Sequence, residues 1–84
     1  MTREQIYNDV RAMMTETFEL EPERVTLDAR LYEDLDLDSI DALDMVVKLQ
    51  ELIHRRVEER ELRALRSVSD VVEMVAGTFA RPAE

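Results

Sequence analysis

The chain has 84 residues, no Cys, one His (His54) and a formal net charge of −9. A chain this short is one domain at most and buries only roughly 60% of its extended surface, which makes a deep enzyme cleft hard to build. Without Cys there is no disulfide, thiolate nucleophile or zinc–thiolate site; the acidity argues against nucleic acid; and apolar runs of three residues at most exclude a transmembrane helix.

The opening "MTREQIYNDV" has no apolar leader core, so the cytoplasm is the expected location. A chain that starts at Met and lacks linker composition is expected to be a free-standing protein, monomeric when free. Ile6, Val10, Met13, Met14 and Phe18 recur at spacings of three and four, which predicts a first helix from Arg3 to Phe18. Thr2 is its expected N-cap, with Gln5 completing a capping box.

Next comes a long loop, "ELEPERVTLDARLYEDLDLD". Pro22 breaks any helix there, and Val25, Leu27, Leu31 and Leu35 are expected to anchor the loop to the core. Loops of this length in a small domain are often functional.

A second helix is predicted from Ser39 or Ile40 to about His54. At about 100° per residue from Ile40, the residues Ala42, Met45, Val46, Leu49, Leu52 and Ile53 fall on one arc, the core face. Ile40, Leu43 and Val47 lie on the opposite arc, surrounded by Asp41, Asp44, Gln50 and Glu51. An apolar strip with an acidic rim is a docking surface for a protein partner. Residues 33–51 hold seven acids against Lys48 alone, a patch that attracts basic partners.

A short third helix is expected between Glu58 and Ala64. A fourth is expected from Val68 to Phe79, capped by Ser67, with Asp70 in its first turn and Val68, Val71, Val72 and Val75 facing inward. Residues 80–84 read as a frayed tail. The predicted fold is all-α, a small four-helix bundle with a long loop between helices 1 and 2, in a single domain over residues 1–84. Met13, Met14, Met45 and Met74 are flexible core candidates. They fill gaps or let the core open to a tethered chain.

Four readings compete for "DLDLDSIDALDM". Ser39 or Asp38 caps the helix, with Asp41 complementing its dipole. Alternatively, Asp34, Asp36 and Asp38 begin a calcium loop, although Ser39 and Met45 stand where Gly and Glu belong. Ser39 as a hydrolytic nucleophile lacks a base, because His54 lies about four turns away. Finally, Ser39 is modified with a phosphate-linked group at a helix N-terminus, a favourable place for an anion.

Asp38-Ser39-Ile40-Asp41, preceded by "LYEDLDL" and followed by an acidic amphipathic helix, resembles the motif of the acyl carrier protein family. The likeness extends from the first helix to Val75. It takes in "ERVTLDA", the short third helix and a fourth opening at "SVSDVV". "DSIDALDMVVKLQEL" is also similar to discrete carriers of bacterial aryl-polyene or xanthomonadin-type pathways. The acid-rich motif looks like fatty-acid and polyketide carriers rather than peptidyl carriers.

The resemblance implies a carrier rather than an enzyme. Ser39 would bear 4'-phosphopantetheine placed there by a phosphopantetheinyl transferase, and acyl groups would ride as thioesters on its thiol. Asp38 and Asp41 match the motif's flanking acids, Asp44 and Glu51 its acidic partner contacts, and Ile40, Leu43 and Val47 its apolar docking positions. Implied partners are ketosynthase, dehydratase, reductase or acyl-ligase enzymes with basic docking surfaces. The chain departs from the family pattern in several places. Asp36 stands where Gly is usual, Ile40 replaces Leu, Gln50 replaces an acid, and the third-helix region carries Arg55, Arg56, Arg60, Arg63 and Arg66. The rival reading from another class is an acidic helical adaptor in which Ser39 is only a cap.

Overall fold

Among the described residues four α-helices appear in the expected order. The computed structural model describes residues 2–80, without the side chains of Phe79 and Ala80. Helix α1 spans Arg3–Phe18, α2 Ser39–Ile53, α3 Glu59–Ala64 and α4 Val68–Ala80. A 3₁₀ turn, Pro22–Arg24, sits early in the long loop, with Pro22 at a position that needs no N–H donor. Helix α4 continues one residue beyond Phe79. The tail expected over residues 80–84 otherwise lies outside the described residues.

The helix starts follow from local chemistry. At α1 the Thr2 hydroxyl accepts the Gln5 N–H (3.2 Å), and the Gln5 side chain accepts the Thr2 N–H (2.9 Å). Asp70 and Ser67 make the same reciprocal arrangement at α4: Asp70 Oδ2 accepts the Ser67 N–H at 3.2 Å and Ser67 Oγ accepts the Asp70 N–H at 3.4 Å. Helices α1 and α2 end on left-handed residues, Glu19 (φ 54°) and His54 (φ 56°), which turn the chain out of the helix.

Helix α1 packs on α4 and α2, and α2 also meets α4. Ile6, Val10 and Met14 of α1, Ala42, Met45, Leu49 and Ile53 of α2, and all four valines of α4 are buried. Met13, Val46, Leu52 and Met74 are half-buried against that core. Helix α3 contributes no fully buried residue and is held by half-buried Leu62 and by its flanks, Val57 and Leu65.

The long loop is packed as well. Val25, Ala29, Leu31, Leu35 and Leu37 are buried, whereas Leu27, expected as an anchor, is 45% exposed. The reason is backbone pairing. An antiparallel bridge joins Arg30 to Ser67, and the N–H groups of Leu31, Val68 and Ser69 donate to Arg66, Ala29 and Leu27 carbonyls at 2.9–3.0 Å. Leu27 is therefore fixed by its carbonyl rather than by its side chain. Tyr7 Oη also donates to the Val25 carbonyl at 2.5 Å, tying the loop to α1.

Candidate functional site

Ser39 occupies the first helical position of α2 and is exposed. The cap is Asp38: its Oδ1 accepts the Asp41 N–H at 2.9 Å, and Asp41 Oδ2 accepts the Asp38 N–H at 3.1 Å. The Ser39 hydroxyl makes no hydrogen bond among the described residues. The two candidate caps are thereby separated, since Asp38 satisfies the helix end and Ser39 contributes only backbone. An exposed hydroxyl with no structural duty, at the positive end of a helix dipole, is open to modification by an anionic group.

The aspartates before it have separate tasks. Asp34 Oδ2 accepts the Arg30 N–H at 2.8 Å. Arg24 donates to the Asp34 carbonyl at 2.5 Å and lies 3.8 Å from Asp36 Oδ2. Asp36 itself has a left-handed backbone, φ 56°. That conformation favours glycine and is tolerated by Asp, which accounts for an Asp at a position where carriers usually have Gly. Among the described residues no three carboxylate or imidazole side chains converge on a point that would hold a metal ion. The candidate calcium loop is thus occupied by capping and turn contacts.

Along α2 the expected apolar strip is exposed: Ile40 71%, Leu43 62% and Val47 52%. Asp44 and Glu51 are exposed beside it, with Lys48 Nζ 3.9 Å from Glu51, and Asp41 is half-buried at the cap. Gln50 is not part of this rim. Its Oε1 accepts the Val57 N–H at 3.0 Å and holds the turn into α3. His54 caps the far end of α2 and cannot serve Ser39 as a base.

A groove of about 500 Å³ opens beside Ser39 between α2 and α3. Ala42, Leu43, Val46, Val57, Leu62 and Leu65 give it an apolar wall, and Tyr32, Glu58, Glu59 and Arg63 complete the lining. The sequence reading missed this groove and Tyr32, which is 48% exposed. Its wall is assembled from three separate elements. The local signal was the apolar residues flanking the short third helix.

A family model described as a phosphopantetheine attachment site matches residues 8–75. The chain is 44% identical over 80 residues to "Acyl carrier protein 2" of Ralstonia nicotianae, covering 95% of this chain and 99% of that one. The chain belongs to the acyl carrier protein family.

The carrier is also 31% identical over 81 residues to "Acyl carrier protein" of Saccharopolyspora erythraea (96% of this chain, 85% of that one). The corresponding protein of Coprothermobacter proteolyticus is 28% identical over 75 residues, covering 89% of this chain and 92% of that one. Membership makes the chain a carrier rather than an enzyme and implies a covalently attached 4'-phosphopantetheine. It also implies dealings with a phosphopantetheinyl transferase and with synthesis enzymes. The residues around Ser39 fit such a group, with an exposed hydroxyl, a helix N-terminus behind it and a groove with an apolar wall alongside. No helix of the described residues is long and apolar enough to cross a membrane.

Proposed function

We propose that Ser39 bears the phosphopantetheine of this carrier, and that the acyl groups belong to fatty-acid or polyketide-type synthesis, aryl-polyene synthesis included. The supporting observation is the division of labour at the start of α2. Asp38 and Asp41 cap the helix between them, and the exposed Ser39 hydroxyl has no partner among the described residues. The adaptor reading needs Ser39 as a cap, and that role is filled by Asp38.

In this reading each neighbouring residue has a part. The α2 amide end lies behind a phosphodiester on Ser39, and Asp38 and Asp41 hold that end in place. Ile40, Leu43 and Val47 form the contact strip for partner enzymes. Asp44 and Glu51 steer basic surfaces toward it. The bound arm supplies the thiol that a chain without Cys lacks, and carries the acyl group on it as a thioester. The groove between α2 and α3 shields the tethered group from water. The carrier acts in the cytoplasm as a single carrier domain.

The test is a mass spectrum after incubation with coenzyme A, magnesium and a broad-specificity phosphopantetheinyl transferase. One added phosphopantetheine, absent from Ser39→Ala, is expected. No addition to a folded protein, with an active control carrier in the same tube, overturns the reading.

A further inference from the structure

A second cavity, about 630 Å³, shares Tyr32 with the groove. Its lining carries three guanidinium groups, from Arg30, Arg63 and Arg66, and the hydroxyls of Ser67 and Ser69, which are 2.9 Å apart. Tyr32, Arg63 and Leu65 line both spaces, so a continuous wall leads from Ser39 through the apolar groove to the arginines.

The backbone fixes this cluster. Arg30 is bridged to Ser67, and the Arg66 carbonyl accepts the Leu31 N–H at 2.9 Å. The cavity also holds two carboxylates, Asp28 and Glu33. Glu33 is paired with Arg30 at 2.9 Å, and Arg63 reaches back to Glu59 on its own helix at 2.5 Å. Arg66 has no ion-pair partner among the described residues. Both existing pairs are solvent-exposed and therefore weak. A carboxylate delivered to the cavity can replace them with paired, charge-assisted hydrogen bonds from guanidinium forks. In a chain with 20 acids and 11 bases, three arginines around one cavity beside the attachment serine are a local reversal of charge.

We infer that this cavity recognises the free carboxylate of a dicarboxylic acyl group tethered to Ser39. The apolar groove accepts the methylene part and the arginines accept the terminal acid. The inference rests on the attachment reading above. A tethered ligand is favoured over a separate acidic partner because the cavity is reached along the wall that begins at Ser39. Tethering also raises the effective concentration of a weak ligand into the millimolar range.

The experiment loads the full chain with glutaryl-phosphopantetheine or with pentanoyl-phosphopantetheine, using a transferase that accepts acyl-coenzyme A and releases 3',5'-ADP, and verifies each by mass. Amide and arginine Nε–Hε signals are then compared by NMR. The glutaryl form is expected to shift Arg30, Arg63, Arg66, Ser67 and Ser69 signals that the pentanoyl form leaves in place. Those shifts should be lost in the Arg63→Gln/Arg66→Gln double variant, whose changes are both on exposed side chains. Equal spectra for the two loaded forms overturn the proposal. So do shifts that appear with a free oligoglutamate peptide but not with the tethered acid, which would make the cavity a protein-docking site. No mass increment overturns the attachment reading, and this one with it. A loaded protein whose two acyl forms look alike overturns this one alone.

Discussion

Asp38 and Asp41 hold each other's backbone amides across the first turn of α2, at 2.9 and 3.1 Å, and leave the serine between them unencumbered. In the proposed attachment reading, stability and function fall to different side chains within four consecutive residues. Asp38→Ala should cost about 1 kcal/mol, the usual worth of an N-cap, and lower Tm by about 4–8 °C. Ser39→Ala should leave Tm within the error of thermal unfolding followed by circular dichroism. A large loss in Ser39→Ala would mean that the hydroxyl carries the cap after all.

The left-handed backbone at Asp36 (φ 56°) invites a second pair of variants. Asp36→Gly removes the steric cost of that conformation and gives up only an exposed contact with Arg24 at 3.8 Å. It should raise stability by about 0.5 kcal/mol, and Asp36→Val should lower it by about 1–2 kcal/mol. Chemical denaturation midpoints read both.

The strip on α2 should matter to partners and not to folding. Leu43→Ser and Val47→Ser alter residues that are 62% and 52% exposed, so stability should move by no more than about 0.5 kcal/mol. Transferase kinetics should show a raised KM. An unchanged KM for the pair combined would remove the strip from the docking surface.

Glu61 sets part of the acid stability. Its carboxylate accepts the Glu58 N–H at 3.0 Å and pairs with Arg55 at 3.2 Å, and these contacts, the backbone bond first, hold its pKa below the usual glutamate value. A depressed folded pKa means that the contribution is present above the unfolded value and lost as pH falls through the folded one. Glu61→Gln should therefore reduce stability at pH 7 and flatten its decline below about pH 4.5, the ordinary value. Because the side chain is partly exposed, the effect should be small and salt-sensitive. Unfolding curves across pH 3–7 at two ionic strengths check it.

What the sequence made legible follows its periodicity. The first helix has the expected bounds, Arg3–Phe18, because capping box and apolar stripe agree there. The two faces of α2 and the inward valines of α4 follow from 3.6-residue spacing in the same way. The loop was harder to read. Leu37 is buried beside Leu35 and Leu27 is not, because residues 27–31 are fixed by hydrogen bonds to Arg66–Ser69, far along the chain, and the N–H groups of Leu35 and Leu37 donate in turn to the Arg30 and Leu31 carbonyls. The alternation in "DLDLD", residues 34–38, was the available signal for Leu37. Gln50 looked like a rim residue until the Val57 N–H appeared as its partner. The groove and the arginine cavity needed α3 placed against the loop, which no local pattern specifies.

The pairing of residues 27–31 with 66–69 has a temporal consequence. During synthesis Ser39 emerges ahead of the strand-like stretch that orders the loop leading to it. Contacts of such separation form late. A released fragment ending before Arg66 would thus display the serine on an unsettled approach, and a transferase would meet the folded loop only once the last quarter of the polypeptide has emerged.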